Sequence, residues 1–156
     1  MPKASPQAWT MTILRVTVGF IFYAHGINKL FALNNVRGLF TALELPDPTF
    51  SALAITIVEL LGGLLLITGI GTRYVSAVFV FSSLIAMSSA HIGNGLFNGN
   101  GGVEYTLLLA VVNAVLCADG ATFASAEPYL AKPVSWLIKT VNDLANRLVP
   151  LQQINK

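Results

Sequence analysis

Four long apolar segments dominate the pattern of hydrophobic and polar positions along the chain. They cover residues 9–31, 51–70, 74–91 and 104–119. A helix needs about 20 residues to cross a bilayer, so the pattern predicts four membrane-spanning helices. Turn-forming stretches separate them: "LPDP" at 45–48, "TGIGTR" at 68–73 and the glycine-rich "IGNGLFNGNGG" at 92–102. "DGATFASAEP" at 119–128 follows the last segment.

The end of the chain has a different pattern. From residue 133, apolar side chains recur every three or four positions, with charged and amide side chains between them. This predicts an amphipathic helix lying along the membrane surface, with docking onto a partner protein as the alternative. The predicted fold is therefore an all-α integral membrane four-helix bundle over residues 1–128. A C-terminal amphipathic interfacial helix and tail follow, over 129–156.

The composition supports a membrane protein. Hydrophobic residues make up 54% of the 156 residues and charged residues 10%, where soluble domains carry about 25% charged residues. So few charges leave most of the exterior facing lipid. The net charge of +2 gives no reason to expect nucleic acid as a partner, and a single cysteine, Cys117, excludes an internal disulfide. The first apolar segment is longer than a signal-peptide core, so we expect an uncleaved anchor.

Lysine and arginine are unevenly distributed between the two predicted sides of the membrane. The side holding both termini carries Lys3, Arg73, Lys132, Lys139, Arg147 and Lys156. Arg15, one turn inside the first segment, is expected to snorkel to the same side. The opposite loops hold only Lys29 and Arg37. The asymmetry predicts a multi-pass protein with both termini in the cytoplasm.

Polar side chains interrupt the apolar segments at a similar depth. The run "FIFYAHGINKLF" at 20–31 carries His25, Asn28 and Lys29. At a rise of about 1.5 Å per residue, these lie level with Glu59, His91 and Glu104 in the outer half of the membrane. His25 and Lys29, four residues apart, share one helix face.

Glu59 is the strongest single candidate for a functional residue, because its short side chain lies too deep in the membrane to reach the lipid headgroups. A carboxylate facing lipid there would cost several kcal/mol, so it should be protonated, paired with Lys29, or facing a wet cavity. Gly62 and Gly63 follow on the same face and allow another helix to approach closely. The Glu59 face should therefore be a helix interface.

The polar cluster has two interpretations at this point. It either fixes helix packing alone, or it forms a site for a ligand, a proton or an electron carrier, because intramembrane ionisable groups are often functional. A metal held by His25, His91 and a carboxylate lacks any local ligand spacing, so no metal is predicted. No phosphate-binding loop, nucleotide fingerprint or Ser/His/Asp arrangement is visible.

Three motifs resemble the DoxX family of membrane proteins. "LRVTVGFIFYAHGINKLF" (14–31) resembles its first helix, "VELLGGLLLITGIGTRY" (58–74) its Glu-x-x-Gly-Gly segment and following turn, and "EYTLLL" (104–109) its fourth helix. The resemblance covers about residues 10–120 and leaves out the amphipathic tail. It implies a four-helix bundle in the bacterial inner membrane and a link to redox chemistry. The matching positions are Arg15, His25, Gly26, Lys29, Glu59, Gly62, Gly63, Arg73, Glu104 and Tyr105.

These observations lead to one functional hypothesis and two rivals. The hypothesis is a membrane subunit or partner of a redox system, with a quinone-type or other small-molecule site near the periplasmic side. The candidate residues for ligand binding or proton handling are His25, Asn28, Lys29, Glu59, His91, Glu104 and Tyr105. No intrinsic cofactor is expected, so a soluble or membrane redox partner protein would supply electrons. The rivals are a non-enzymatic scaffold acting through the C-terminal helix and a proton or small-solute pathway. Catalytic residues and a homo-oligomer are left open.

Overall fold

A computed structural model describes residues 5–121, 123–126, 139 and 141, and every regular element among them is helical. α1 spans Pro6–Phe31, α2 Leu33–Ala42, α3 Pro48–Thr68, α4 Thr72–Ala86 and α5 Glu104–Asp119. A π-helical turn, Met87–His91, and a 3₁₀ turn, Ile92–Asn94, continue α4, and a further 3₁₀ turn covers Asn98–Asn100. The all-α prediction is confirmed.

Three helices are long and apolar enough to cross a membrane: Pro6–Phe31, Pro48–Thr68 and Thr72–Asn94. They confirm a membrane protein. α5 has 16 residues, fewer than the ~20 that usually span a bilayer, so the fourth crossing stays a prediction. α2 lies between the first two long helices, where the sequence analysis predicted no helix, and none of its residues is buried.

Glycines bring α1 and α3 unusually close together. A methyl group added at Gly63 would lie 2.5 Å from the backbone nitrogen of Tyr23, and one at Gly26 would lie 2.6 Å from that of Leu60. A methyl group added at Gly19 would lie 2.9 Å from the carbonyl oxygen of Gly63. The absence of side chains at these three positions therefore sets the distance between the two helices. The predicted interface along the Glu59 face is confirmed.

Aromatic packing joins the α1–α3 pair to α4, which itself packs mainly against α5. The rings of Phe22 on α1 and Phe79 on α4 stack with centroids 3.7 Å apart and nearly parallel planes. Both side chains are buried, as are Leu66 on α3 and Leu116 on α5. This cluster forms the apolar core of the helices.

Arg15 is buried among the helices, so the expectation that it snorkels out of them is wrong. Its side chain is 1% exposed. One guanidinium nitrogen donates to the carbonyl oxygens of Leu66 at 2.6 Å and Ile67 at 3.2 Å, and the other donates to that of Ala124 at 2.7 Å. The last carbonyls of a helix lack partners within it. Arg15 therefore caps α3 and holds the segment after α5 against it.

The chain divides into two compact units, residues 1–125 and 126–156. All five helices belong to the first unit. The predicted amphipathic helix over 129–156 lies outside the described residues, apart from Lys139 and Val141, which are both helical and exposed. Its position along the membrane and its role stay predictions.

Candidate functional site

An ion pair between α1 and α3 forms the centre of the candidate site. Lys29 Nζ lies 2.5 Å from both carboxylate oxygens of Glu59. The Glu59 side chain is 9% exposed and that of Lys29 is 27% exposed. The two residues can meet because Gly26, one turn before Lys29, lets the α1 backbone contact Leu60 directly. Pairing offsets part of the cost of placing either charge in the apolar interior.

The ion pair faces a small polar cavity of about 100 Å³ to which α1, α3, α4 and α5 all contribute. Its polar lining consists of His25, Lys29, Glu59, Ser82, Ser83 and Tyr105. Its apolar walls are Phe22, Ala86 and Leu109. Hydrogen-bond donors and one carboxylate thus converge on a partly open space between helices, and a few placed polar groups of this kind can orient a ligand. We refer to this space as the polar cavity.

His25 and Tyr105 connect the polar cavity to a second one. Their ring centroids are 6.2 Å apart, with planes tilted by 47°. Both residues also line a cavity of about 250 Å³ between α1 and α5, together with Phe20, Ile21, Ala24 and Asn28. Asn28 therefore lies beside the neighbouring space and not beside Glu59. His25 is an exposed residue.

His91 and Glu104 do not line the polar cavity. Nδ1 of His91 lies 2.6 Å from the carbonyl oxygen of Gly101, and a Glu104 carboxylate oxygen accepts a hydrogen bond of 2.6 Å from the backbone N–H of Asn98. Both side chains hold the glycine-rich loop. The π-helical turn Met87–His91 adds one residue to the last turn, which rotates His91 away from the direction a continuous α-helix would give it. The predicted single cluster is therefore divided in two.

Ser82, Ser83 and Ala86 are cavity residues that the sequence interpretation did not identify. Small residues at this spacing on a membrane helix are typical of a packing face and do not by themselves indicate a binding site. Their position beside Glu59 depends on how α4 is rotated against α3, and no local pattern encodes that rotation. Within the described part of the chain, no three His, Cys, Asp or Glu side chains converge as metal ligands would.

The fold and the site together define an α-helical membrane protein with a charged, partly enclosed cavity between its helices. The family model DoxX matches residues 10–92, from within α1 to just past the π-helical turn. The chain belongs to the DoxX family. It is also similar to the Bacillus subtilis (strain 168) protein named "Putative oxidoreductase CatD", with 32% identity over 120 residues that cover 77% of this chain and 86% of that protein. No solved structure gives a significant match.

Proposed function

We propose that this protein is a bacterial inner-membrane component of a redox system and that it binds a quinone-type head group at the polar cavity. The observation that carries the proposal is the Lys29–Glu59 pair facing a cavity with His25 and Tyr105, inside a membrane protein. The similarity to a relative whose name includes oxidoreductase adds to it.

The side chains suit the chemistry of a quinone. Reduction to the quinol takes up two electrons and two protons, and each ring oxygen gains one proton. Lys29, Tyr105 and His25 can donate hydrogen bonds to ring oxygens, and Glu59 can pass protons to them. His25, which also lines the second cavity, offers a route for protons to the exterior. The electrons come from a partner redox protein.

The size of the cavity limits what it holds. Pockets that enclose drug-sized ligands measure about 300–1,000 Å³, and the polar cavity measures about 100 Å³. It therefore suits part of a ring and its oxygens but not a complete lipid-soluble molecule. The rest of the ligand must lie in an adjoining space.

Quinone retention by the purified protein tests the proposal. The protein is extracted in mild detergent, and bound quinone per protein is measured by solvent extraction and mass spectrometry. Glu59→Gln should lower the retained quinone about tenfold or more, because Lys29 loses the carboxylate that positions its ammonium as a donor to the ring, and a hydrogen bond from a charged group is worth about 1.5–3 kcal/mol. Glu104→Gln is the matched control, because it makes the same change outside the polar cavity.

A second matched pair of variants compares the roles of His25 and His91. His25→Gln should reduce retention, whereas His91→Gln should leave it near the parent value, because His91 is hydrogen-bonded to the loop carbonyl of Gly101 and does not line the polar cavity. Size-exclusion profiles confirm that each variant remains folded. The proposal fails if the parent protein carries no quinone, or if Glu59→Gln and Glu104→Gln retain equal amounts. The scaffold and solute-pathway alternatives stay predictions.

A further inference from the structure

A large apolar groove lies on the outer face of α3 and α4, beneath the turn that joins α2 to α3. It measures about 450 Å³, within the ~300–1,000 Å³ of typical ligand pockets. Its walls include Phe50 and Phe81, each 68% exposed, and Ile85, 58% exposed. The groove is on membrane-spanning helices, so hydrocarbon must fill it in the bilayer. We refer to it as the α3–α4 groove.

The groove and the polar cavity are neighbours. Ser82 and Ala86 line both. These two small side chains, on one face of α4, are therefore common to the charged space and the lipid-facing one. α1 packs mainly against α3 and α5 mainly against α4, so the α3–α4 and α1–α5 seams are both loosely packed. Of these two seams, the one between α3 and α4 carries the larger cavity. A ligand that extended through both spaces would have its polar end in the polar cavity and its apolar end in the α3–α4 groove.

We propose that the α3–α4 groove receives the isoprenoid tail of the quinone whose head group occupies the polar cavity. The molecule enters from the bilayer between α3 and α4 and passes over Ser82 and Ala86. This inference rests on the proposed function and adds the direction from which the ligand enters and the surface that selects its tail.

The charges in the polar cavity favour a quinone over a phospholipid as the occupant. Glu59 already neutralises Lys29, so the cavity has no unpaired cation among its described residues to attract a phosphate. A phospholipid head group must also stay at the membrane interface, since moving a charge into the interior is costly. A quinone ring is neutral and can leave the interface while its tail remains in hydrocarbon.

Photocrosslinking tests the position of the tail. The purified protein in lipid nanodiscs is incubated with a quinone carrying a diazirine on its second isoprenoid unit, irradiated and mapped by peptide mass spectrometry. We expect label on α3 and α4 around Val58, Val78 and Phe81, which line the groove. A ring-only quinone in excess should prevent labelling, because it competes for the head-group site.

Three alanine-to-phenylalanine variants then test whether the quinone tail lies in the α3–α4 groove or in the second cavity between α1 and α5. Ala54 lines the groove and not the polar cavity, so Ala54→Phe should lower the labelling about tenfold, equivalent to ~1.4 kcal/mol, and leave binding of the ring-only quinone unchanged. Ala114→Phe, on an exposed face of α5, should have no effect. Ala24→Phe fills the second cavity and should also leave the label on α3 and α4.

The possible outcomes distinguish the inference from the function on which it rests. Equal labelling in Ala54→Phe and Ala114→Phe would overturn the inference. So would label on α1 at Phe20 or Ile21 that disappears in Ala24→Phe, because the tail would then lie in the second cavity. In both cases competition by the ring-only quinone still supports the head-group site. If neither quinone binds the parent protein, the proposed function fails as well.

Discussion

Replacing Gly63 by alanine should weaken the protein by pushing α1 and α3 apart. The added methyl group would lie 2.5 Å from the nitrogen of Tyr23 and 2.7 Å from the carbonyl oxygen of Gly19. Both atoms belong to the α1 backbone, so no side chain can rotate to make room. Gly38 is the matched control, because a methyl group there meets nothing within 4 Å.

The contact distances set the size of the effect. Carbon atoms pack optimally at about 3.5–4.0 Å, so the helices must separate by roughly 1 Å at Gly63. A gap of that size forfeits a quarter to a half of each neighbouring dispersion contact, and overpacking a close interface costs about 1–3 kcal/mol. We expect Gly63→Ala to lower the free energy of unfolding by about 2–3 kcal/mol. Gly38→Ala, inside exposed α2, should raise it by about 0.5–1 kcal/mol.

Reversible unfolding in mixed micelles with increasing SDS fraction measures both changes. The same substitution at two helical glycines should change the free energy of unfolding in opposite directions, which makes the test specific for the α1–α3 contact. The reasoning would be refuted if Gly63→Ala were as stable as the parent, since the helices would then tolerate a wider separation than the glycine contacts imply.

Three further predictions concern charges and orientation. Lys29→Met and Glu59→Gln should each lower stability by about 1–3 kcal/mol, less than a fully buried pair because Lys29 is part-exposed. The double variant should recover part of that loss in the same SDS assay. Arg15→Met should lower the free energy of unfolding by about 1–3 kcal/mol, because the carbonyl oxygens of Ile67 and Ala124 lose the guanidinium donor and that of Leu66 keeps only the N–H of Gly69. A cysteine at Gly99, with Cys117 replaced, should react with a membrane-impermeant maleimide from the periplasmic side.

Each of these predictions has a control and a contradicting result. Additive losses in the Lys29/Glu59 double variant would mean that the two side chains do not interact. Arg37→Met removes an exposed arginine and should leave stability within ~0.5 kcal/mol, so an equal loss would contradict the role of Arg15. The predicted orientation would be wrong if a cysteine at Gln7 were labelled in intact cells and the one at Gly99 were labelled only after the membrane is opened.

The sequence alone determined the class of the protein and one helix face. Apolar segments of membrane-spanning length and so few charges define a helical membrane protein, because the bilayer imposes the length and the lack of charge directly. Glycines at three and four residues from Glu59 identified an interface, because close approach of two backbones needs small residues. α2 was missed although Leu33, Val36 and Phe40 recur at helical spacing, because its ten residues are too few to span a membrane and lie in the connection between two long apolar segments.

Only the tertiary structure decided which polar groups meet. Sequence spacing gives depth and the face of a single helix, but the rotation of each helix about its axis depends on its neighbours. The α1–α3 glycine contacts bring Lys29 onto Glu59, while the π-helical turn and the glycine-rich loop take His91 and Glu104 away. Arg15 is a buried cap because the packing of α1 on α3 brings its guanidinium within hydrogen-bond distance of the carbonyl oxygens at the end of α3. The polar cavity and the α3–α4 groove share a wall for the same reason: packing, and not pattern, fixes the rotation of α4.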